Sequence, residues 1–374
     1  MNLFKRKVGE KTIWYISYRD KNGNRQQKST KTSKKAEALL ELKKLEIEEV
    51  AKSKVLLKDF TFNFFEYETS FWIKKQLAKN KNISKDTALF KERILKKHIL
   101  PAFGDLEIRS IKTFEIDKWL LNKDCANQTK NHILYTFSQV LKEAEYQEII
   151  ETNPCKKIDK YVDDHKTKPP LNKDTLEKLF PIERNNFKSV WPDFNWGVMF
   201  ALMTSSGMRS GEARALQWKH VLWDMGAVLI EQGFSNSETL KSTKAGYGRG
   251  TYIPDRTITL LSDLREMTAY KESEHYIFCS AGGTPFNRKW VYDQFKRGVV
   301  RAGLEVDASP HSLRHTYNVM MRNLLAQKNL PESILRNQIG HKSERMTQNY
   351  DNAEIIEKMH RNELVKPVLN DFWG

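Results

Sequence analysis

Between Asp159 and Pro170 the sequence reads DKYVDDHKTKPP, a polar run closed by two prolines. Proline fixes its own φ, lacks an N–H and pushes the residue before it toward extended conformations. The run is therefore a semi-rigid connector rather than part of a core. The chain must fold as separate bodies on either side of it. Its 374 residues require the same, because single cores stop growing at about 250–300 residues.

Upstream, Thr12–Tyr18 (TIWYISY) alternates and is rich in β-formers. Turn residues follow at 20–24, and an extended stretch runs from Arg25 to Thr32, which together predict a hairpin. From Lys34 the spacing becomes helical, with Ala36, Leu39, Leu40, Leu42 and Leu45 apolar and Ser33 as the expected N-cap. Residues 58–158 read as all-helical, with periodic stretches at Phe64–Leu77, Ser84–Ile99 and Asn127–Ile149. Leu100–Asp105 (LPAFGD) is expected to turn between helices, and Asn153-Pro154 to end the last one.

Downstream, Asn172-Lys173-Asp174-Thr175 starts a helix, and helical stretches then flank a β-rich insert from Val228 to Pro254. The fold class is multidomain α+β. A small N-terminal β-sheet plus helix is expected at 1–57, a helical bundle with its linker at 58–165, and a mixed, mainly helical domain with a small β-sheet at 166–374, including a C-terminal tail.

Sixty-three Lys and Arg against 47 Asp and Glu leave a formal charge of +16. That balance favours a polyanionic partner, nucleic acid first, although ribosomal and membrane-surface proteins share it. Eleven of the cations lie within residues 1–35 beside only two acids, Glu10 and Asp20. A β-sheet can enter a DNA groove while flanking cations hold phosphates, whereas the plainer alternative is a solvated sheet face. Cys125, Cys155 and Cys279 are far apart, which argues against a zinc ribbon or a disulfide framework and fits a reducing cytoplasm. No apolar run has the length of a leader or a membrane span, so a cytoplasmic, non-membrane protein is expected.

The last domain holds Arg209 in TSSGMRSGEARAL, His311 and Arg314 in SPHSLRHTY, and His341 in QIGHKSERMTQNY, with Tyr350 nine residues later. The β-rich insert adds Lys241 and Lys244 in LKSTKAGYGRGTYIP. Two guanidiniums can clamp the non-bridging oxygens of a phosphodiester and stay charged at any physiological pH, stabilising a pentavalent transition state. Tyrosine can act as nucleophile once a cationic pocket lowers the cost of its deprotonation, and a nearby acid can protonate the departing 5′-oxygen. A phosphotyrosyl ester conserves the bond energy, so resealing needs no ATP.

In this order and local context the residues resemble the tyrosine recombinases of the phage integrase family. GMRSGEARAL is similar to the family's first-arginine box, HSLRHT to its His-x-x-Arg box, and GHKSERMTQNY to the box leading to its nucleophile. The motifs span roughly 170–360, while the first two domains resemble the family's arm-binding and core-binding domains only in architecture.

The resemblance implies that Arg209 and Arg314 bind the scissile phosphate, that Tyr350 attacks it, and that His341 donates a hydrogen bond to a non-bridging oxygen. His311 would assist as acid or base. Lys244, with Lys241 as the alternative, would protonate the leaving oxygen from a β-hairpin. Glu212 would support the site electrostatically, or else be a surface carboxylate paired locally. The implied partners are double-stranded DNA with core and arm-type sites, a homotetramer on synapsed DNA, and an accessory DNA-bending or excision-directing protein. No cofactor or metal is implied.

Other readings weigh less. His311 and His315 share a helical face, but without a His-Glu-x-x-His carboxylate and with Arg314 between them a zinc hydrolase is disfavoured. A DNA-binding architectural protein has no need of the six-residue constellation. A type IB topoisomerase would use similar chemistry without sequence choice.

Overall fold

The computed structural model describes residues 1–19, 25–52, 55–79, 81, 83–162, 168–242, 248–331, 333–339 and 365–373, with main chain only at 19, 46–52, 339, 372 and 373. The chain divides into two compact units, Met1–His165 and Lys166–Gly374.

In the first unit β1 (Asn2–Val8), β2 (Lys11–Arg19) and β3 (Arg25–Ser29) form an antiparallel sheet in that order. The expected hairpin is β2–β3, and backbone bonds from Trp14 to Thr30 and Thr32 prolong it. Its turn, 20–24, lies outside the described residues. The strand β1 gave no alternation signal, because NLFKRKV has only Leu3, Phe4 and Val8 as apolar residues, yet it pairs with β2 along its whole length.

Helix α1 (Lys35–Lys52) covers one sheet face, where Ile16, Ala38 and Leu45 are buried. Ser33 is not its N-cap, since Lys34 contributes the first helical carbonyl. The Thr32 hydroxyl instead accepts from the Lys34 amide at 3.1 Å and donates to Glu37, while the Ser33 carbonyl takes the Trp14 indole N–H.

The bundle comprises α2 (Leu57–Phe60), α3 (Phe71–Ala78), α4 (Lys85–Ile94), α5 (Leu100–Phe103), α6 (Thr113–Leu121) and α7 (Asn127–Tyr146). Phe65, Ile73, Ile99, Phe137 and Leu141 meet in its core, each contributing about 1.5–3 kcal/mol by burial. The helical stretch expected from Phe64 begins only at Phe71. The reason is Ser70, whose hydroxyl donates to the Phe64 carbonyl and accepts from the Ile73 amide, capping the helix there. Ser84 caps α4 by accepting from the Thr87 amide.

The turn expected at Leu100–Asp105 is also displaced. Leu95–Ile99 forms a π turn that runs directly into α5, so Pro101 lies inside the helical path and the chain leaves it only at Gly104. The Leu100 amide bonds five residues back to Leu95, a wider winding that relaxes the usual demand for an amide at the proline.

The second unit opens with α8 (Lys173–Leu179), capped by the Asn172 side chain, followed by α9 (Arg184–Val190) and α10 (Phe194–Ser206). Helix α10 is apolar on all sides and forms the centre of the core, with Phe200 between Trp191, Trp196 and Phe295. It ends at Gly207, whose φ of +64° suits glycine. The short α11 (Ser210–Arg214) follows at once.

The β-rich region begins earlier than the expected Val228, with β4 (Val221–Leu222), and continues through β5 (Ala227–Ile230), β6 (Gln232–Phe234), β7 (Leu240–Ser242) and β8 (Arg249–Tyr252). Strands β4, β5 and β8 make one antiparallel sheet, and β6 with β7 a separate hairpin. Then come α12 (Asp255–Met267), α13 (Arg288–Arg301), α14 (Pro310–Gln327) and α15 (Ser333–Ile339).

The C-terminal helix Val365–Trp373 folds back on its own unit. It buries Val365, Val368 and Leu369 against Ala227, Tyr252, Tyr317 and Met321, and ties Asn370 and Lys366 to Asp255. Among the described residues no helix is long and apolar enough to cross a membrane.

Candidate active site

The termination of α10 positions the first arginine. After the left-handed Gly207 and buried Met208, Arg209 takes extended φ/ψ as the N-cap of α11. One turn later Glu212 reaches back, accepting from the Arg209 amide and from its Nη1, both at 2.8 Å. The second arginine comes from α14, which Ser309 and Pro310 start in the manner of a helix N-terminus. Arg314 is 4% exposed and donates to the carbonyl of Gly207 at 2.6 Å, so the residue that ends α10 also anchors this guanidinium.

His311 lies one turn before Arg314. Partial burial first, then the charges of Arg314, Arg209 and His315, push its imidazole below its ordinary value. Such a histidine is neutral at pH 7 and can accept a proton. Burial, followed by the charge of Arg209, brings Arg314 down to about 10, and it stays a cation at neutral pH. The fold thus gathers Arg209, His311 and Arg314 closely enough for their charges to act on one another.

Glu212 is not a surface carboxylate. It is 5% exposed and receives Arg249 from β8 as well, through Nη1 at 3.2 Å and Nη2 at 2.6 Å. Burial by itself would raise its carboxyl, but the charge and hydrogen bonds of Arg249, together with those of Arg209, outweigh it and hold the group at about 2.

Lys241 lies on β7 opposite Gly233 of β6. This hairpin sits against α11, since a side chain at Gly211 would meet the Phe234 carbonyl at 2.2 Å. Arg214 anchors the hairpin turn, bonding Glu238 and the Phe286 carbonyl with its guanidinium over the Phe234 ring. Lys244, His341 and Tyr350 lie outside the described residues.

Two residues of this centre were missed in the sequence. Arg249 sits in Gly248-Arg249-Gly250, where the only signal was a cation alternating with Thr251 along a strand. Gln338, 1% exposed on α15, accepts from the Tyr252 amide at 3.0 Å and from Thr251 Oγ1, and its carbonyl accepts from Arg249 Nε.

Residues 170–355 match the profile of the Phage integrase family, and residues 70–123 that of the Phage integrase N-terminal SAM-like domain, together more than half of the chain. The chain belongs to the tyrosine recombinases of the phage integrase family. It is accordingly a site-specific recombinase of mobile elements.

Among its relatives the integrase is 24% identical over 273 residues to the ICEBs1 integrase of Bacillus subtilis, covering 68% of this chain and 70% of that protein. It is 34% identical over 80 residues to the tyrosine recombinase XerD of Corynebacterium glutamicum, covering 21% and 25%. The fold is similar to that of the Tn1549 transposon integrase in complex with a circular intermediate DNA, with a TM-score of 0.59, 17% identity, and coverage of 77% of this chain and 97% of that one. It is also similar to a lambda integrase tetramer bound to a Holliday junction, with a TM-score of 0.57, 18% identity, and coverage of 94% and 97%.

Proposed function

We propose that this recombinase cleaves double-stranded DNA by attack of Tyr350 on a backbone phosphate, forming a 3′-phosphotyrosyl intermediate, and rejoins it by attack of a 5′-hydroxyl. Arg209 and Arg314 clamp the non-bridging oxygens, and His341 donates a third hydrogen bond. Neutral His311 exchanges the tyrosine proton. Lys244, with Lys241 of β7 as the alternative, protonates the leaving 5′-oxygen. The observation that carries this reading is the pair of guanidiniums at the N-cap of α11 and on α14, one bonded to the buried Glu212 and the other to the Gly207 carbonyl.

The domain roles follow the same reading. The N-terminal sheet, at about 1–57, takes arm-type sites. Its helix-free face alternates Phe4 and Arg6 on β1 with Ile13 and Tyr15 on β2, beside Gln27 and Arg25 on β3, a surface suited to a DNA groove. The bundle at 58–165 binds the core site, and the domain at 166–374 carries the catalytic residues. Four protomers synapse two sites in the cytoplasm, with an accessory DNA-bending or excision-directing protein setting direction. The Tn1549 integrase bound to circular intermediate DNA and the lambda integrase tetramer on a Holliday junction support this assignment by likeness of fold.

The test is to incubate the protein with a library of candidate element junctions and map protected and covalently cleaved DNA. The unaltered protein is expected to leave a protein–DNA adduct at a defined position, and Tyr350→Phe to bind the same junction without forming one. Adducts at normal yield in the Phe variant overturn the assignment. Footprints of a chain lacking about residues 1–57 should lose arm protection and keep the core, with arm binding steeply weakened by salt.

A further inference from the structure

Arg249 is a cation in a four-residue strand, yet it is 7% exposed and each nitrogen of its guanidinium is engaged. Nη1 and Nη2 hold the two oxygens of Glu212, and Nε donates to the main-chain carbonyl of Gln338 at 3.1 Å. Neither attachment is incidental. Glu212 spends its remaining hydrogen-bonding capacity on the amide and Nη1 of Arg209, so the aim of Arg209 depends on where Glu212 is held. Gln338 is the penultimate residue of α15 and stands three positions before His341 in the sequence. Its side-chain oxygen is bound as well, by the Tyr252 amide and the Thr251 hydroxyl of the same strand. Strand β8 thus fastens the last described turn of α15, three positions before His341 in the sequence.

We propose that Arg249 is a positioning residue for strand cleavage. Through Glu212 it fixes the direction of Arg209, and through the Gln338 carbonyl it fixes the starting point of the segment that delivers His341 and the nucleophile. The phosphate clamp and the attacking chain are thereby referenced to one guanidinium. Lysine cannot replace it, because a single ammonium lacks the planar fork needed to serve a carboxylate and a carbonyl on different elements together. A network satisfied at every member is rigid, and its loss misplaces groups without removing them. The inference rests on the recombinase chemistry proposed above.

The experiment uses full-length protein and a nicked duplex carrying the junction recovered by cleavage mapping. Arg249→Lys keeps the charge opposite Glu212. A second variant, Glu212→Gln with Arg249→Met, removes both buried charges together, so that neither is left unpaired if the single change destabilises the chain. Three quantities are read: DNA affinity, thermal midpoint, and the plateau rate of adduct formation at saturating DNA.

Both variants are expected to bind the junction as the parent does and to melt near it, while the plateau rate falls about 10²-fold, the scale of a roughly 1 Å misplacement of reacting groups. A parental plateau in Arg249→Lys overturns the proposal, as does a loss of rate that only tracks loss of folded protein or of DNA binding in both variants. Absence of adduct from the parent itself, with Tyr350→Phe run beside it, would overturn the recombinase chemistry and this inference with it.

Discussion

Two buried cations, one in each unit, are surrounded by different kinds of partner. Arg314 of the second unit is 4% exposed and Lys91 of the bundle 5% exposed. Arg314 donates to a carbonyl, and the carboxylate of Glu212 acts on it favourably, so although burial lowers it to about 10 it remains charged. Lys91 has an amide oxygen, Gln139 Oε1, and the ring faces of Tyr135 and Phe65 as neighbours, and burial lowers it to about 8. A lysine can relieve the cost of burial by releasing its proton, which an arginine cannot do. Both stay cationic at neutral pH, but only Arg314 has a carboxylate acting on it, and under the proposed chemistry it is the one that meets an external anion.

The sharpest way to break this contrast is to remove each cation in turn. Arg314→Met is expected to slow adduct formation about 10²–10³-fold, the usual loss when one donor to a developing oxyanion is deleted. Lys91→Met should leave the rate at the parental level. Quenched-gel assays on the mapped junction would decide, and a normally cleaving Arg314→Met protein would remove the clamp from the mechanism.

A smaller effect tests how rigidly the arginine is seated. Gly207 has φ +64°, supplies the carbonyl for Arg314, and would place a Cβ 2.3 Å from the Tyr317 ring. Gly207→Ala should destabilise the second unit by about 3 kcal/mol through combined backbone strain and overpacking, read as a lowered denaturant midpoint. An unchanged midpoint would mean that the Arg314 seat is soft.

The smallest effect is a pH slope. The unfolded chain protonates Lys91 below its usual 10.5, whereas the folded chain does so only below about 8. Between these values the unfolded state holds the extra proton, so stability rises with pH across that window. The slope is about 1.4 kcal/mol per pH unit within that window and should vanish in Lys91→Met. Parallel slopes in denaturant titrations of parent and variant would show that the folded amine keeps its ordinary proton affinity.

The same contrast explains what could be read from the sequence. Asn172 and Ser84 announced their helices because a cap is a local event between residues three apart. The boxes around Arg209 and Arg314 were legible through spacing and local context. Arg249 was not, because its meaning depends on Glu212 and Gln338, distant along the chain and brought together only by tertiary packing. The strand β1 was hidden for a related reason, since an edge strand rich in lysine and arginine gains its pairing from β2 rather than from its own pattern. Glu212 lay between: its one-turn spacing from Arg209 was visible, its burial was not.

The π turn at Leu95–Ile99 has a consequence for how this bundle can change by insertion and deletion. A π turn carries one residue more than the α-helix around it. Deleting a single residue there would restore ordinary winding while leaving the helical faces on both sides in register. The restored winding would, however, ask Pro101 for an amide it lacks and press its ring on the carbonyl four residues earlier. The extra residue and the proline are therefore a matched pair. Chains descended from this one should lose or keep the two together, so that a one-residue difference in length marks the lineage at this point better than any substitution would.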